Sequence, residues 1–309
     1  NDKAIALMTQ EDGKQPIGGR ASAIILHALG HTASSLADNE LALAKALAES
    51  GATVDFSIGA ACQVAQLHDD AYLHFKRVDD VLSLDNDILL DFMFLSLPSA
   101  LRLDDVAEEA RQLAEKHGSR PRAWLGYALV LQKLGDLSGE RLALDQAVEA
   151  GVDNPQVYLL RGDYFARNKE LDTAAEEYRR LLELRPEDPV ANNNLAYYLL
   201  LKEGDPDQAL YHAQLAAKGL PNDPHVLHTL GVAHLRTGDL EKSRSNLTMA
   251  LQLMPGDPAL LLDYGQLLIA TGDPENGRRH IESALASSRA IGMEFDRQEE
   301  AEKILATIP

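Results

Sequence analysis

The chain has one cysteine, Cys62, in 309 residues. That excludes an intramolecular disulfide framework and a multi-cysteine zinc site. Basic residues are also in short supply, 29 Lys and Arg against 48 Asp and Glu, for a net charge of −19. Phosphate binding needs a basic stripe and counterion release, so nucleic acid is not an expected partner. Acidic outer helix faces are expected instead. No apolar run reaches the ~18 residues a transmembrane helix needs. There is no phosphate loop, no paired zinc motif and no nucleophile elbow, so neither a cofactor nor a free-standing enzyme is expected. The chain does not open on Met but on Asn1, which suggests a processed or excised piece whose targeting segment has been removed. Its compartment is left open.

What the sequence does have is a period of about 34 residues. Asp-Pro recurs at Asp188-Pro189, Asp223-Pro224 and Asp257-Pro258, with intervals of 35 and 34. In step with it run Gly162, Ala196, Gly231 and Gly265. Gly-Asp recurs at Gly204-Asp205, Gly238-Asp239 and Gly272-Asp273, with an earlier copy at Gly135-Asp136. A fourth ladder is Pro186, Pro221 and Pro255. A length of 309 residues would ordinarily suggest two domains, but a fixed period means a solenoid, whose core grows with each unit.

With Pro224 as position 1, Leu227, Leu230, Gly231 and His234 fall at positions 4, 7, 8 and 11, a helical stripe with a small residue inside it. Gly238-Asp239 ends that helix and turns the chain. A second amphipathic helix carries Leu247 and Ala250 and stops before Pro255. The small residue at position 8 lets the two helices approach closely. Neighbouring units read alike: Trp124, Ala128, Leu131 and Ala147; Tyr158, Gly162, Phe165, Ala174, Tyr178 and Leu181; Asn192, Leu195, Ala196, Ala209, Ala213 and Ala216; Leu261, Gly265, Leu268, Gly277, Ile281 and Ala284. The third of these has one extra residue near Lys202-Glu203.

These positions resemble the tetratricopeptide repeat, with a large residue at 4, Leu-Gly at 7–8, Tyr at 11, Ala at 20, an aromatic at 24, Ala at 27 and Pro at 32. The resemblance covers residues 121–291, read as five repeats, and implies an all-α right-handed superhelix of stacked helix pairs. Glu140 and Ser243 depart from it, standing where Ala is usual, so looser packing is expected there. Upstream, Leu29-Gly30 with Ala33 and Ala42 looks like a worn unit. So does Ile58-Gly59 with Cys62, Ala71, Phe75 and Val78, and so does Leu89 and Phe92 with Ala107 to Ala114. Residues 21–120 are therefore read as degenerate repeats, the competing reading being a separate small helical domain. Residues 1–20 have no periodicity and read as a mobile tail. Residues 292–309 read as a closing helix that covers the last apolar face. Its charged run, Asp296 to Glu302, reads as the wet side.

In the family's geometry, positions 2, 5, 6, 9, 12 and 13 line a concave groove. Here these are Arg122, Leu125, Leu129, Gln132 and Lys133; Leu159, Leu160, Asp163 and Arg167; Asn193, Asn194, Tyr197 and Leu200; His225, His228, Thr229 and Arg236; and Leu262, Asp263, Gln266 and Ile269. Four basic residues (Arg122, Lys133, Arg167, Arg236) against two acidic ones (Asp163, Asp263) give a local charge of +2, which would favour an acidic segment or a free carboxylate. Leu159, Leu160, Tyr197, Leu200 and Leu262 are expected to be exposed apolar groups, as at interaction sites. Asn193 and Asn194 offer donor and acceptor to a peptide backbone, as asparagines here do in some repeat relatives. A continuous asparagine ladder is absent. His225 and Thr229 stand where a chaperone-tail clamp would need Lys and Arg.

The pairs His225/His228 and His27/His31 could each supply two metal ligands, but neither has an obvious third, and no metal is expected. Cys62 sits at a packing position, and the sequon at Asn246 lies mid-helix. The expected function is a protein-interaction scaffold holding a peptide or helix in its groove, with a bacterial assembly or secretion system the nearest flavour. The alternative is the recognition arm of a larger enzyme or of a membrane-anchored assembly factor. Self-association through the convex face or the cap is a third possibility. The partner itself is not identified by any feature.

Overall fold

The computed structural model describes residues 47, 50–64, 66–82, 87–97, 103–202, 204–290 and 297–308. The expected tail, the worn unit around Leu29-Gly30 and the pair His27/His31 lie outside the described residues, as do residues 291–296 before the closing helix. Among those described, all regular structure is helical. The helices are α1 (Thr53–Val64), α2 (His68–Leu82), α3 (Asp87–Leu95), α4 (Leu103–Lys116), α5 (Pro121–Leu134), α6 (Leu137–Ala150), α7 (Pro155–Arg167) and α8 (Leu171–Leu184). They continue with α9 (Pro189–Leu201), α10 (Pro206–Gly219), α11 (Pro224–Thr237), α12 (Leu240–Leu253), α13 (Pro258–Ala270), α14 (Pro274–Ala290) and α15 (Gln298–Thr307). The chain is an all-α repeat solenoid. It divides into two compact units, the division falling within α7 between Val157 and Tyr158.

The periodic ladders have backbone reasons. Asp188, Asp205, Asp223 and Asp257 are N-caps whose carboxylates accept from amide N–H groups of the first turn, and the proline after each sits at the start of the helix, where no N–H is needed. Gly135, Gly238 and Gly272 end first helices in the left-handed region, at φ 76°, 84° and 85°. The next residue, an aspartate each time, reaches back: Asp239 N donates to His234 O at 2.9 Å, and Asp273 N to Leu268 O at 2.8 Å. Two non-glycine residues hold the same conformation at equivalent places, Gln66 at 61° and Lys169 at 62°.

A second device locks each helix pair. A Cβ on Gly162 would come within 2.4 Å of Tyr178, one on Gly231 within 2.7 Å of Leu247, and one on Gly265 within 2.6 Å of Ile281. The partner is sixteen residues on each time, one face of the second helix laid on the bare backbone of the first. In the first unit Gly59 lies under Phe75 in the same way, at 2.8 Å. Ala196 and Ala213 fill the corresponding place in α9–α10, both fully buried, with the extra residue between them.

The first unit is cored by aromatic rings. Phe56, Phe75 and Phe92 touch one another with centroids 5.0–5.7 Å apart, amid Leu89, Leu90, Met93 and Leu113. Helix α3 packs on α2 and α5, and α4 packs on α5. Cys62 is half-buried against this core. In the second unit the filling is smaller: Ala196, Ala209, Ala213, Ala233 and Ala250 with Leu227, Leu247, Leu260 and Leu267. Helix α15 lays Ala301, Ile304 and Leu305 on Leu261, Leu262, Ile281 and Leu285. Glu140 and Ser243 are enclosed, at 4% and 0% exposure, so neither marks an open spot; the Ser243 hydroxyl has no hydrogen-bond partner.

Candidate functional site

The first helices of successive repeats are neighbours in the second unit, α9 beside α11 and α11 beside α13. Helix α9 turns Ala191, Asn192, Leu195, Ala196 and Leu200 inward. That leaves Asn193, Asn194 and Tyr197 on its other side. They meet His225, His228 and Thr229 of α11 around a cavity of about 400 Å³, with Asp223 and Asp257 also on its wall. A smaller cavity of about 120 Å³ shares Tyr197, His228 and Thr229 with it and adds Leu200, Arg236, Asp263, Arg297 and Glu300.

The polar side chains between the two cavities form one network. His228 Nε2 lies 2.7 Å from Asp263, and Arg297 donates to the same carboxylate at 2.8 Å. Asp263 is 1% exposed. Burial alone would push its carboxyl up, but the Arg297 charge and the His228 hydrogen bond outweigh that and hold it below the usual range. Arg297 also bonds Glu300 at 2.7 Å, and Glu300 accepts from Gln266 at 2.7 Å. The closing helix is thus fastened to α11 and α13 by an ion cluster as well as by its apolar side.

A second network runs to α7. Tyr178 Oη donates to Asp163 at 2.9 Å, and Asn194 Nδ2 donates to the same oxygen at 3.3 Å. Burial pushes the Asp163 carboxyl above its usual range, partly opposed by Tyr178 and by the Arg167 charge. Asn193 Nδ2 leans on Asn194 Oδ1 at 3.4 Å, and its own Oδ1 is shut off from solvent without a partner.

Of the residues expected in a groove, the structure gathers Asn193, Asn194, Tyr197, His225 and His228 at the larger cavity, and Leu200, Arg236 and Asp263 at the smaller one. Gln266 reaches the same place through Glu300. Leu200 and Leu262 are not the exposed apolar groups expected: they are 9% and 0% exposed, Leu262 because α15 covers it. Leu159 and Leu160 are half-buried, and Arg167 is exposed. In the first unit Leu125 is buried, Leu129 and Lys133 are exposed, and Arg122 is held by Asp91 through two guanidinium nitrogens and by Gln156.

The local charge of +2 does not describe the cavities either. Their walls carry Asp223, Asp257, Asp263 and Glu300 against Arg236 and Arg297. Position counting missed Asp223 and Asp257 because the Asp-Pro ladder reads fully as helix caps. It missed Arg297 and Glu300 because the run that holds them reads as the wet side of the closing helix. Arg297 is in fact turned inward, at 12% side-chain exposure.

Residues 99–155, 141–189 and 159–226 match the sequence profile of the tetratricopeptide repeat. Residues 99–226 of the chain are thus built of tetratricopeptide repeats. Among solved structures it is similar to PilF of Pseudomonas aeruginosa, at 17% identity and a TM-score of 0.51 over 65% of this chain and 90% of that one. It is also similar to YrrB, described as a TPR protein with an unusual peptide-binding site, at 18% identity and a TM-score of 0.49 over 64% and 99% of the two chains. MamA of Desulfovibrio magneticus RS-1, from residue 41 to its end, gives 18% identity and 0.46 over 55% and 96%. At such identities the likeness is one of fold. No curated protein matches the chain by sequence.

Proposed function

We propose that this repeat protein is a non-enzymatic scaffold that holds a segment of a partner protein along α9, α11 and α13 of its second unit. The observation that supports this best is the cavity of about 400 Å³ walled by Asn193, Asn194, Tyr197, His225 and His228, side chains with polar ends and apolar bodies. Tyr197 keeps 38% of its surface exposed there, and Val190 keeps 40%. Such amphipathic anchors on a rigid helical wall supply binding energy at low ordering cost. Leu159, Leu160, Asp163 and Arg167 belong to the preceding repeat of the same unit and would extend the track, with Gln266 at its other end.

The test is capture of partners from a lysate of the source organism by the full chain and by the variant Tyr197→Ala with Asn194→Ala. We expect the variant to keep its helical circular dichroism and to lose the partner. A partner retained equally by both chains would move the site to another face.

A further inference from the structure

The larger cavity is rich in acceptors and poor in available donors. Asp223 Oδ1 accepts from His225 N and Val226 N, and Asp257 Oδ1 accepts from Leu260 N. One oxygen of each carboxylate is thus engaged in capping, and both carboxylates stand on the wall of the one cavity. Asn193 adds an enclosed Oδ1 with no partner. The donors nearby are engaged within the chain: Asn194 Nδ2 on Asp163, the Thr229 hydroxyl on His225 O, and the His228 Nε2 on Asp263. The exposed His225 imidazole is the exception. In the adjoining cavity Arg297 is neutralised by Asp263 and Glu300. Its charge therefore does not offset Asp223 and Asp257. Arg236 is left as the one cation on these two walls with no carboxylate of the described residues on it.

A wall of unmet acceptors favours a ligand that brings donors and positive charge. The apolar parts of the same wall, Val190, Leu220, Val226 and the Tyr197 ring, suit the hydrocarbon stem of a long basic side chain and the face-on approach of a cation. The net charge of −19 would add long-range attraction of the same sign. Resting on the groove reading above, we infer that the segment held between α9, α11 and the start of α13 is a basic one, with a lysine or arginine at Asp223 and Asp257. This reverses the acidic partner that position counting favours.

The experiment is selection from a random dodecamer peptide library by the full chain, reading the composition of the retained pool. We expect Lys plus Arg to be enriched about twofold or more over the input at moderate salt. Asn caps a helix as well as Asp does, so Asp223→Asn with Asp257→Asn removes both charges and leaves the helix starts intact. That variant is expected to abolish the enrichment. A control with the same change of charge, Glu241→Gln with Glu282→Gln at exposed positions of α12 and α14, is expected to keep it. Loss of enrichment in the control as well would assign the effect to net charge and overturn the inference. A pool of input composition, or one enriched in Asp and Glu, would also overturn it. If such a pool is released by Tyr197→Ala, the groove reading survives. If no retained pool responds to Tyr197→Ala, the groove reading falls with it.

Discussion

The helix pair α1–α2 near the start of the described chain and the pair α11–α12 in the second unit are built alike from unlike sequences. In each, a glycine lies beneath a large side chain sixteen residues on, Gly59 under Phe75 and Gly231 under Leu247. In each, the residue seven after that glycine takes a positive φ, Gln66 at 61° and Gly238 at 84°. The turn bonds also coincide. Gln66 N donates to Gln63 O and Leu67 N to Cys62 O, as Gly238 N does to Leu235 O and Asp239 N to His234 O. Yet α1–α2 has no Asp-Pro before it, no Gly-Asp in its turn and no closing proline. The lock and the turn geometry therefore define the pair, while the sequence ladders are the lower-energy means of reaching them.

The largest expected effects come from removing the side chain on top of the glycine. Phe75→Ala deletes a fully buried ring from the three-ring cluster and is expected to cost about 3–5 kcal/mol. Leu247→Ala, at 0% exposure, is expected to cost about 2–5 kcal/mol. Site-resolved hydrogen exchange is the proper measurement, because a solenoid need not unfold in one step. If Phe75→Ala left the protection of α1 unchanged, the lock in that pair would be incidental.

Next in size is the glycine itself. Gly231→Ala puts a methyl group within 2.7 Å of Leu247 carbons and 3.2 Å of its backbone nitrogen, so α11 and α12 have to part. Overpacking of this kind costs about 1–3 kcal/mol. The double variant with Leu247→Ala should cost less than the two single variants together, since the cavity made by one admits the methyl of the other. In the preceding repeat Ala196 and Ala213, both fully buried in one core, put two small residues at these places. Strict additivity in that cycle would mean that the two positions do not share one space.

How much of this is legible in sequence depends on where each residue's partner lies. The caps and turns are read easily because Asp, Pro and Gly act on their own backbone within a few residues. The sixteen-residue contact is equally local, which is why Gly59 and Phe75 stand out even without the ladders. The site is harder. Position in a helix says that Leu262 and Asp263 face the groove side, but Leu262 is covered by α15 and Asp263 is bonded to Arg297, partners more than thirty residues away. Likewise Arg122 looks available until Asp91 of α3 is placed beside it. Counting charges along a face therefore failed, because it could not tell which charges the chain cancels for itself.

Acid should separate the pairs further. His234, at the place in α11 where Cys62 stands in α1, is 5% exposed and its Nδ1 has no partner. Burial holds its imidazole below the usual range, with Asp239 partly opposing. His212 of α10 is lowered too, by burial and then by the Arg179 charge. In the unfolded chain both would titrate near their ordinary value of about 6.5. The fold favours the neutral forms, so their contribution is complete above that pH and is lost as pH falls below it. Protection of α10–α12 should therefore decline between about pH 7 and pH 5, and His234→Leu should flatten the decline. An unchanged slope in that variant would shift the cause to other groups.

The smallest expected effect bears directly on the turn. Gln66 and Lys169 occupy a left-handed conformation that Gly135, Gly238 and Gly272 occupy elsewhere. For a residue with a Cβ this conformation costs about 1–2 kcal/mol, whereas glycine adopts it freely but gives up about 0.5–1 kcal/mol through its looser unfolded chain. The two nearly cancel, so Gln66→Gly and Lys169→Gly should each stabilise their pair by about 0.5–1 kcal/mol at most. The reverse change, Gly238→Gln, should cost a similar amount, and no more, because nothing lies within 4 Å of the place its Cβ would take. A larger loss would mean that the glycine is needed for contact rather than for backbone freedom. A loss on Gln66→Gly would mean that the glutamine side chain holds its turn in a way the later turns do without, and that the two pairs are alike in geometry but not in what maintains it.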